Sequence, residues 1–237
     1  EEKRPVVNQK FLGASANNSF ADITIIIDRK QSMKVYESQI NSSVRELASC
    51  MDPRTTLRIV SAGQIPALEY VGSPNGAKQF SVAGLKTGYA NNVPMDLAVR
   101  LAANDLINAE KKRAIIFISD GDITQNSFDK YSLNEMTSYL NNNFISFLMI
   151  QVEQKAIDDS LDYLVKNTNG TEYFMFRPEG LSKIIKDIVE IPSGVYTFSY
   201  TSTLGTNFGE KYLPIEVEVY LMNRSGRDES GYFAPLQ

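Results

Sequence analysis

Two aspartates stand at the ends of mostly β-branched runs: Asp28 follows residues 23–27, which are apolar apart from Thr24, and Asp120 follows the apolar residues 114–118 and Ser119. Runs of this kind predict strands that are buried on both faces, as in the centre of a parallel sheet. A carboxylate at the carboxyl end of such a strand lies where open α/β sheets bind ligands. If the two strands are neighbours, their carboxylates repel each other unless a cation lies between them. The identity of that cation, a metal ion or a side chain, is the chemical question that the sequence poses.

The composition excludes several kinds of chemistry. The chain has 237 residues and a net charge of −4, which argues against nucleic acid as a partner. It contains no histidine, so neither a Ser-His-Asp triad nor a histidine-ligated zinc site can form. Cys50 is the single cysteine, and its helical context predicts a buried structural thiol. No run approaches the ~18 apolar residues of a membrane-spanning helix.

The segments around the two aspartates alternate between strand and helix patterns. Further strands are predicted at residues 55–62, 67–71, 144–152 and 171–176. Apolar residues at helical spacing predict helices that begin near residues 32, 94, 133, 156 and 181. Ser32 is the predicted N-cap of the first helix. This alternation favours an α/β fold with a doubly wound, mostly parallel sheet flanked by helices.

The pattern changes near the carboxyl end of the chain. Aromatic residues between 196 and 200, and apolar residues between 215 and 221, alternate with polar residues. We expect two half-exposed antiparallel strands here, with the charged, glycine-containing segment 223–231 as a solvated turn or a ligand loop. The predicted domains are therefore an N-terminal segment, a main domain and a small antiparallel β appendage with which the N-terminal segment can pair. They comprise residues 1–20, 21–191 and 192–237, respectively.

Three motifs, in this order, resemble the von Willebrand factor A domain, which is also the fold of integrin I domains. They are a strand ending in Asp-Arg-Lys-Gln-Ser (28–32), a helix after Asn-Asn-Val-Pro (91–94), and a strand ending in Ser-Asp-Gly (119–121). The resemblance covers residues 21–191, and the strand that ends in Ser-Asp-Gly is quite specific. It implies the doubly wound fold and a role in binding another protein.

In that family a divalent ion such as Mg²⁺ lies at the carboxyl edge of the sheet. An Asp-x-Ser-x-Ser motif, a threonine from a later loop and an aspartate before a glycine hold the ion, whose open position accepts a carboxylate from the partner. The resemblance places Asp28, Ser32 and Asp120 at metal-ligand positions. Lys30 stands in place of the middle serine and Val93 in place of the threonine. The metal-ion-dependent adhesion site is therefore degenerate.

Lys30 has two alternative roles in such a site. Two unit positive charges ~4 Å apart repel by about 4 kcal/mol at an effective dielectric constant of about 20. We favour a site without a metal cofactor, in which Lys30 pairs with Asp28, Asp120 or both, because an ammonium group has three donors. The alternative is that Lys30 points into solvent and that Mg²⁺, Ca²⁺ or Mn²⁺ binds weakly to the remaining oxygen ligands: Asp28, Ser32, Asp120, and Asp122 or Asn92.

The leading functional interpretation is a protein-interaction or adhesion module that binds another protein at the carboxyl edge of the sheet. The predicted ligand-binding residues are Asp28, Lys30, Ser32, Asn92, Asp120 and Asp122. Because residue 1 is not methionine and a β appendage is predicted, we expect a secreted, periplasmic or outer-surface protein of a bacterium. Its expected partner is an extracellular-matrix protein, a plasma protein or an envelope protein.

Two other functions stay open on the sequence. One is a secreted hydrolase or protease that acts on host matrix proteins, with Ser32 as nucleophile and Lys30 as its base. A lysine beside Asp28 should keep its proton, however, and the chain has no complete catalytic constellation, so no catalytic residue is assigned. The other is an inert structural scaffold.

Overall fold

The structure is a computed structural model that describes residues 7–14, 20–109, 111–191, 196–201, 212–221 and 224–233. The chain divides into two compact units. The larger unit comprises residues 13–197, and the smaller unit combines residues 1–12 with residues 198–237.

The described residues form ten β-strands. In chain order these are β1 (Val7–Ala14), β2 (Ala21–Asp28), β3 (Leu57–Ala62), β4 (Ala67–Gly72), β5 (Lys112–Ser119), β6 (Ile145–Gln151), β7 (Glu172–Phe174), β8 (Tyr196–Thr201), β9 (Tyr212–Leu221) and β10 (Arg224–Phe233). Six of them form one sheet in the order β4-β3-β2-β5-β6-β7. All neighbouring pairs in this sheet are parallel except β3 and β4, which are antiparallel. The predicted mostly parallel sheet is thus confirmed.

Six α-helices connect or flank these strands. They are α1 (Glu37–Cys50), α2 (Pro74–Ala77), α3 (Met95–Asn104), α4 (Leu133–Asn142), α5 (Asp159–Asn167) and α6 (Ser182–Glu190). A 3-10 helix, Gln31–Tyr36, precedes α1. Helix α4 begins with a capping box, in which Ser132 and Glu135 each accept a hydrogen bond from the other residue's backbone N–H. None of the described helices is long and apolar enough to cross a membrane.

Each face of the six-stranded sheet carries its own apolar core. Strand β2 is buried along its whole length, and its successive side chains point to opposite faces. Ile25 and Ile27 belong to the cluster that contains residues of α1 and α6. Ile26 belongs to the cluster that contains residues of α3, α4 and α5. Burial on both faces explains why this strand reads as a continuous apolar run.

The remaining strands form two small sheets. β1 pairs with β8, and β9 pairs with β10 in antiparallel register from Leu221–Arg224 to Tyr212–Phe233. The predicted antiparallel β appendage is confirmed, but the predicted pairing of its two strands is wrong, because β8 and β9 belong to different sheets. The segment that was expected to be a solvated turn forms most of β10. Its residues 225–229 are exposed, so charged residues and glycine can occupy this ladder without being buried.

Candidate functional site

The carboxyl ends of β2 and β5 lie side by side because these strands are direct neighbours in the sheet. Ile27 pairs with Ile118, which places Asp28 beside Ser119 and brings Asp120 to the same edge. The two aspartates are 1% and 3% exposed. Two carboxylates buried at one edge need a nearby cation, as the sequence predicts.

The side chain of Lys30 points inward and contacts both carboxylates. Its Nζ lies 2.6 Å from Oδ1 of Asp120 and 3.4 Å from Oδ2 of Asp28. It also donates a hydrogen bond to the carbonyl oxygen of Asp122. The ammonium group thus makes two hydrogen bonds and an additional ion pair with Asp28, and the side chain is only 10% exposed. This geometry contradicts the alternative in which the Lys30 side chain points into solvent.

Asp28 accepts two hydrogen bonds besides its ion pair with Lys30. The backbone N–H of Lys30 donates to its Oδ1 at 2.9 Å, and the Ser119 hydroxyl donates to its Oδ2 at 2.6 Å. Burial raises the pKa of Asp28 to about 6, although Lys30 and Ser119 act in the opposite direction. Ser119 was not predicted as a site residue. As a polar residue that ends an apolar strand beside Asp120, it was detectable in the sequence.

Asp120 has a different electrostatic environment from Asp28. Burial alone would raise its pKa, but hydrogen bonds from Lys30 and Ser32 outweigh this effect and hold the pKa below its ordinary value. The Ser32 hydroxyl donates to Oδ2 at 2.6 Å, and the backbone N–H of Asp122 donates to Oδ1 at 3.0 Å. Asp120 is therefore the more acidic of the two carboxyl groups.

The prediction that Ser32 caps a helix is wrong. Neither the 3-10 helix that contains it nor α1 has a side-chain cap at its first turn. A carboxylate accepts a stronger hydrogen bond than a neutral group does, so the hydroxyl bonds to Asp120 instead. Ser32 therefore links the segment after β2 to the end of β5.

The loop before α3 lies against the segment after β2. The backbone N–H of Ala90 donates to the carbonyl of Arg29 at 2.8 Å, and the N–H of Gln31 donates to the carbonyl of Ala90 at 3.2 Å. The Arg29 guanidinium, 5% exposed as a residue, lies 3.7 Å from the centroid of the Tyr89 ring. Tyr89 in turn donates a hydrogen bond to Glu37 at 2.7 Å. This cluster, which sequence reasoning missed, fixes the backbone on both sides of Lys30.

Val93 and Asn92 do not extend the set of buried oxygen ligands. Val93 is 4% exposed and belongs to the apolar cluster beside α3. Its backbone N–H and carbonyl lie 3.1 and 3.0 Å from the hydroxyl oxygen of Thr124. That hydroxyl also lies 3.0 Å from Oδ1 of Asn92, which is an exposed residue. Val93, which the resemblance places at the position of the threonine ligand, therefore supplies no side-chain oxygen.

Asp122 lies on the exposed rim of the edge. Gly121 before it has a φ of +99°, a conformation that favours glycine and turns the chain after β5. The Asp122 carboxylate is 62% exposed and pairs with Lys155 at 2.7 Å. Lys155 also lies 3.6 Å from Glu153, which accepts a hydrogen bond from Tyr36. Asp122 is a predicted site residue, whereas sequence reasoning missed Tyr36, Glu153 and Lys155. Glu153 and Lys155 could have been found because they follow β6, the neighbour of β5.

The donor set at the edge does not fit a divalent ion while Lys30 holds this position. Mg²⁺ requires about six oxygen ligands at roughly 2.1 Å. Asp28 and Asp120 each direct a carboxylate oxygen at the Lys30 ammonium, and Val93 contributes no ligand. Across the described ranges, no group of three or more His, Cys, Asp or Glu residues has an arrangement that could hold a metal.

Cys50 lies elsewhere, at the carboxyl end of α1. The prediction that it is buried is wrong, because the residue is exposed at the last position of the helix. Partial desolvation still raises the pKa of its thiol, with Glu46 acting in the same direction. A raised pKa disfavours the thiolate, which is the nucleophilic form, so the Cys50 thiol is not activated as a nucleophile.

Comparison with known proteins identifies the fold. No protein-family model and no curated protein matches the sequence. Among solved structures, an aerotolerance-related membrane protein from Bacteroides fragilis matches with a TM-score of 0.55 and 15% identity, over 71% of this chain and 98% of that chain. A von Willebrand factor type A protein from Catenulispora acidiphila matches with a TM-score of 0.56 and 12% identity, over 91% of this chain and 55% of that chain.

A third matching structure is proximal thread matrix protein 1 from the mussel byssus, in a form with a zinc-occupied MIDAS motif. Its TM-score is 0.55 at 13% identity, over 81% of this chain and 49% of that chain. At such low identity these similarities establish the fold alone. The chain has the von Willebrand factor A fold, as the three sequence motifs predict.

Proposed function

We propose that this domain is a protein-interaction module that binds its partner at the carboxyl edge of the central sheet. The observation that carries the proposal is a pair of exposed aliphatic side chains, Val35 and Ile65, which are 75% and 76% exposed. They belong to the segments that leave the carboxyl ends of the adjacent strands β2 and β3. Protein interfaces combine such apolar contacts with polar groups.

The polar groups of this edge divide into a buried set and an exposed rim. Asp28, Lys30 and Asp120 are buried and are joined by the ion pairs of Lys30 with both carboxylates. Ser32, Asn92 and Asp122 are exposed. In the proposed function the buried set holds the loops in place, and the rim contacts the partner together with Val35 and Ile65.

A bacterial envelope protein is the partner that we propose. The Bacteroides fragilis protein with this fold is a membrane protein. This supports a location in the periplasm or at the outer surface of the cell over release into the medium. Matrix and plasma proteins are the other partner classes, and binding assays separate them.

The hydrolase alternative is less well supported by the geometry. The Ser32 hydroxyl donates to Asp120 rather than to Lys30, and the lowered pKa of Asp120 makes it a poor base. The Lys30 ammonium donates to Asp120 and to the carbonyl of Asp122, and it forms an ion pair with Asp28. No nucleophile with an available base results from this arrangement.

Site-specific photo-crosslinking tests the proposed surface. A photoreactive residue is placed at position 35 or 65 and, as matched controls, at Val71 or Phe144. The control side chains are 50% and 51% exposed and lie toward the opposite edge of the sheet. We expect discrete crosslinks to one envelope protein from positions 35 and 65 only, after irradiation of the native bacterium.

The same variants distinguish the other interpretations. Crosslinks of equal yield from both edges, or none from positions 35 and 65, would contradict the proposed surface and favour the inert scaffold. Immobilised fibronectin, fibrinogen and collagen serve as probes for the matrix and plasma classes. Saturable binding to one of them could be lost in a Val35→Asp/Ile65→Asp variant and kept in Val71→Asp. This result would contradict the proposal of an envelope partner but support the proposed binding surface.

A further inference from the structure

We infer that the ammonium group of Lys30 is the resident cation of the carboxyl edge, in the place that a divalent ion holds in metal-binding proteins of this fold. The edge is then assembled, and binds its partner, without a metal. The statement about partner binding rests on the proposed function. The identity of the cation concerns the site itself and is tested without a partner.

The first support is the position of the ammonium. Its nitrogen lies 2.6 Å from a carboxylate oxygen of Asp120 and 3.4 Å from one of Asp28, and it donates to the carbonyl of Asp122. These acceptors come from β2 and from the turn after β5. A single tethered group thereby joins the two segments that an ion would bridge.

The second support is that the backbone of Lys30 is fixed from two sides. Its N–H donates to Asp28 at 2.9 Å, and residue 30 forms a parallel bridge with Ala90. The lysine side chain consequently starts from a held backbone and is 90% buried along its path to Asp120, since only 10% of it is exposed. Moving it into solvent would break all three contacts of its ammonium group.

The third support is charge. If Lys30 stayed in place, a bound divalent ion would lie within a few ångström of a second cation, and Coulomb repulsion at that distance disfavours this arrangement. If Lys30 left, the ion would be held by two carboxylates and one hydroxyl, from Asp28, Asp120 and Ser32, with its other positions left to water or to the exposed Asn92 or Asp122. The first arrangement is repulsive, and the second lacks two side-chain oxygens of a metal site of this fold, at positions 30 and 93.

The fourth support is independent of the lysine. Val93 occupies the position of the missing threonine, and it is packed into the apolar cluster with Met95 and Ala98. Its backbone groups are already bonded to Thr124. The site thus departs from a metal site at two positions, one by gaining a cation and the other by gaining core packing.

Calorimetric titration with MgCl₂, MnCl₂ and CaCl₂ tests the inference. The variants are Lys30→Ser/Val93→Thr, which restores both oxygen ligands, and Lys155→Ser, which removes an exposed lysine from the same edge as a matched control. We expect no saturable binding to the wild type or to Lys155→Ser. The double variant should bind Mn²⁺ or Mg²⁺ saturably, and its Tm should rise with the metal and fall again with EDTA.

Two results would overturn the inference. One is saturable binding of any of the three ions to the wild type that is lost in Asp28→Asn. The other is a folded double variant that gains no metal binding. If circular dichroism shows that the double variant is unfolded, the Tm of the wild type provides the test. A wild-type Tm that is equal in EDTA and in each metal supports the inference, and a metal-dependent Tm contradicts it.

Discussion

The ammonium nitrogen of Lys30 lies 2.6 Å from Oδ1 of Asp120, a residue 90 positions later in the chain. This contact joins the segment after β2 to the turn after β5, and the two strands are neighbours in the sheet. This ion pair and the Ser32–Asp120 hydrogen bond therefore join two distant parts of the sequence at the candidate site.

Replacing Lys30 by methionine should strongly destabilise the domain. The substitution keeps most of the side-chain volume but leaves the buried carboxylates of Asp28 and Asp120 without a cation. Loss of one partner from a buried ion pair costs about 3–5 kcal/mol, and we expect a decrease of this size in the free energy of unfolding. Urea denaturation measures it. The control Lys155→Met breaks a partly exposed pair and should cost less than about 1 kcal/mol; equal losses would contradict the prediction.

Asp28 should titrate near neutral pH. Its pKa in the folded state is raised to about 6, mainly by burial, so the folded state binds this proton more tightly than the unfolded state does. The contribution of Asp28 to stability is therefore largest at low pH and is lost as the pH rises through about 6. Carboxyl ¹³C NMR should show this midpoint, and the stability of the wild type relative to Asp28→Asn should increase from about pH 7 to about pH 5. A titration midpoint near the ordinary pKa of an aspartate would refute this prediction.

Asp96 should be essential for the loop between β5 and α4. It is 1% exposed and accepts the backbone N–H groups of Lys130 and Tyr131, each at 2.9 Å. Asp96→Ala leaves these donors unpaired, so we expect a loss of about 2 kcal/mol or more in urea denaturation and faster proteolysis within residues 122–131. The exposed Asp129 on the same loop provides the control. If Asp129→Ala is equally damaging, the anchoring role of Asp96 is wrong.

Gly170 should not tolerate a side chain. A Cβ at this position would lie 1.8 Å from the carbonyl oxygen of Phe147, which belongs to the buried strand β6. Because that oxygen is backbone, it cannot move aside without disturbing the sheet, and Gly170→Ala should cost about 3 kcal/mol or prevent folding. At Gly84 a Cβ meets nothing within 4 Å. In thermal denaturation, Gly84→Ala should therefore leave the Tm almost unchanged, whereas Gly170→Ala should lower it strongly.

The centre of the main sheet could be predicted because β2, β5 and β6 are buried on both faces. That burial requires continuous apolar runs, and a polar residue such as Asp28 or Ser119 then marks the end of a strand. The meeting of Asp28 and Asp120 follows from the parallel arrangement, and the inward position of Lys30 follows from the need for a compensating cation. These predictions rest on local composition and on charge.

Other features depend on contacts between distant residues and could not be predicted in this way. Ser32 resembles a helix cap locally, but its hydroxyl bonds to a carboxylate from another strand. Residues 224–233 have the composition of a turn, yet they pair with β9, because strand formation depends on the available partner as well as on intrinsic preference. Alternation in β8 and β9 indicated strands without indicating which strands would pair.

The position of β2 between β3 and β5 has a consequence for synthesis on the ribosome. β3 follows β2 after α1 alone, whereas β5 emerges only after β4, α2 and α3 have also been translated. Until then, one edge of the buried strand β2 has no permanent partner and can pair wrongly with other nascent chains. The interval between these two translation events is therefore the stage at which chaperone assistance would matter most.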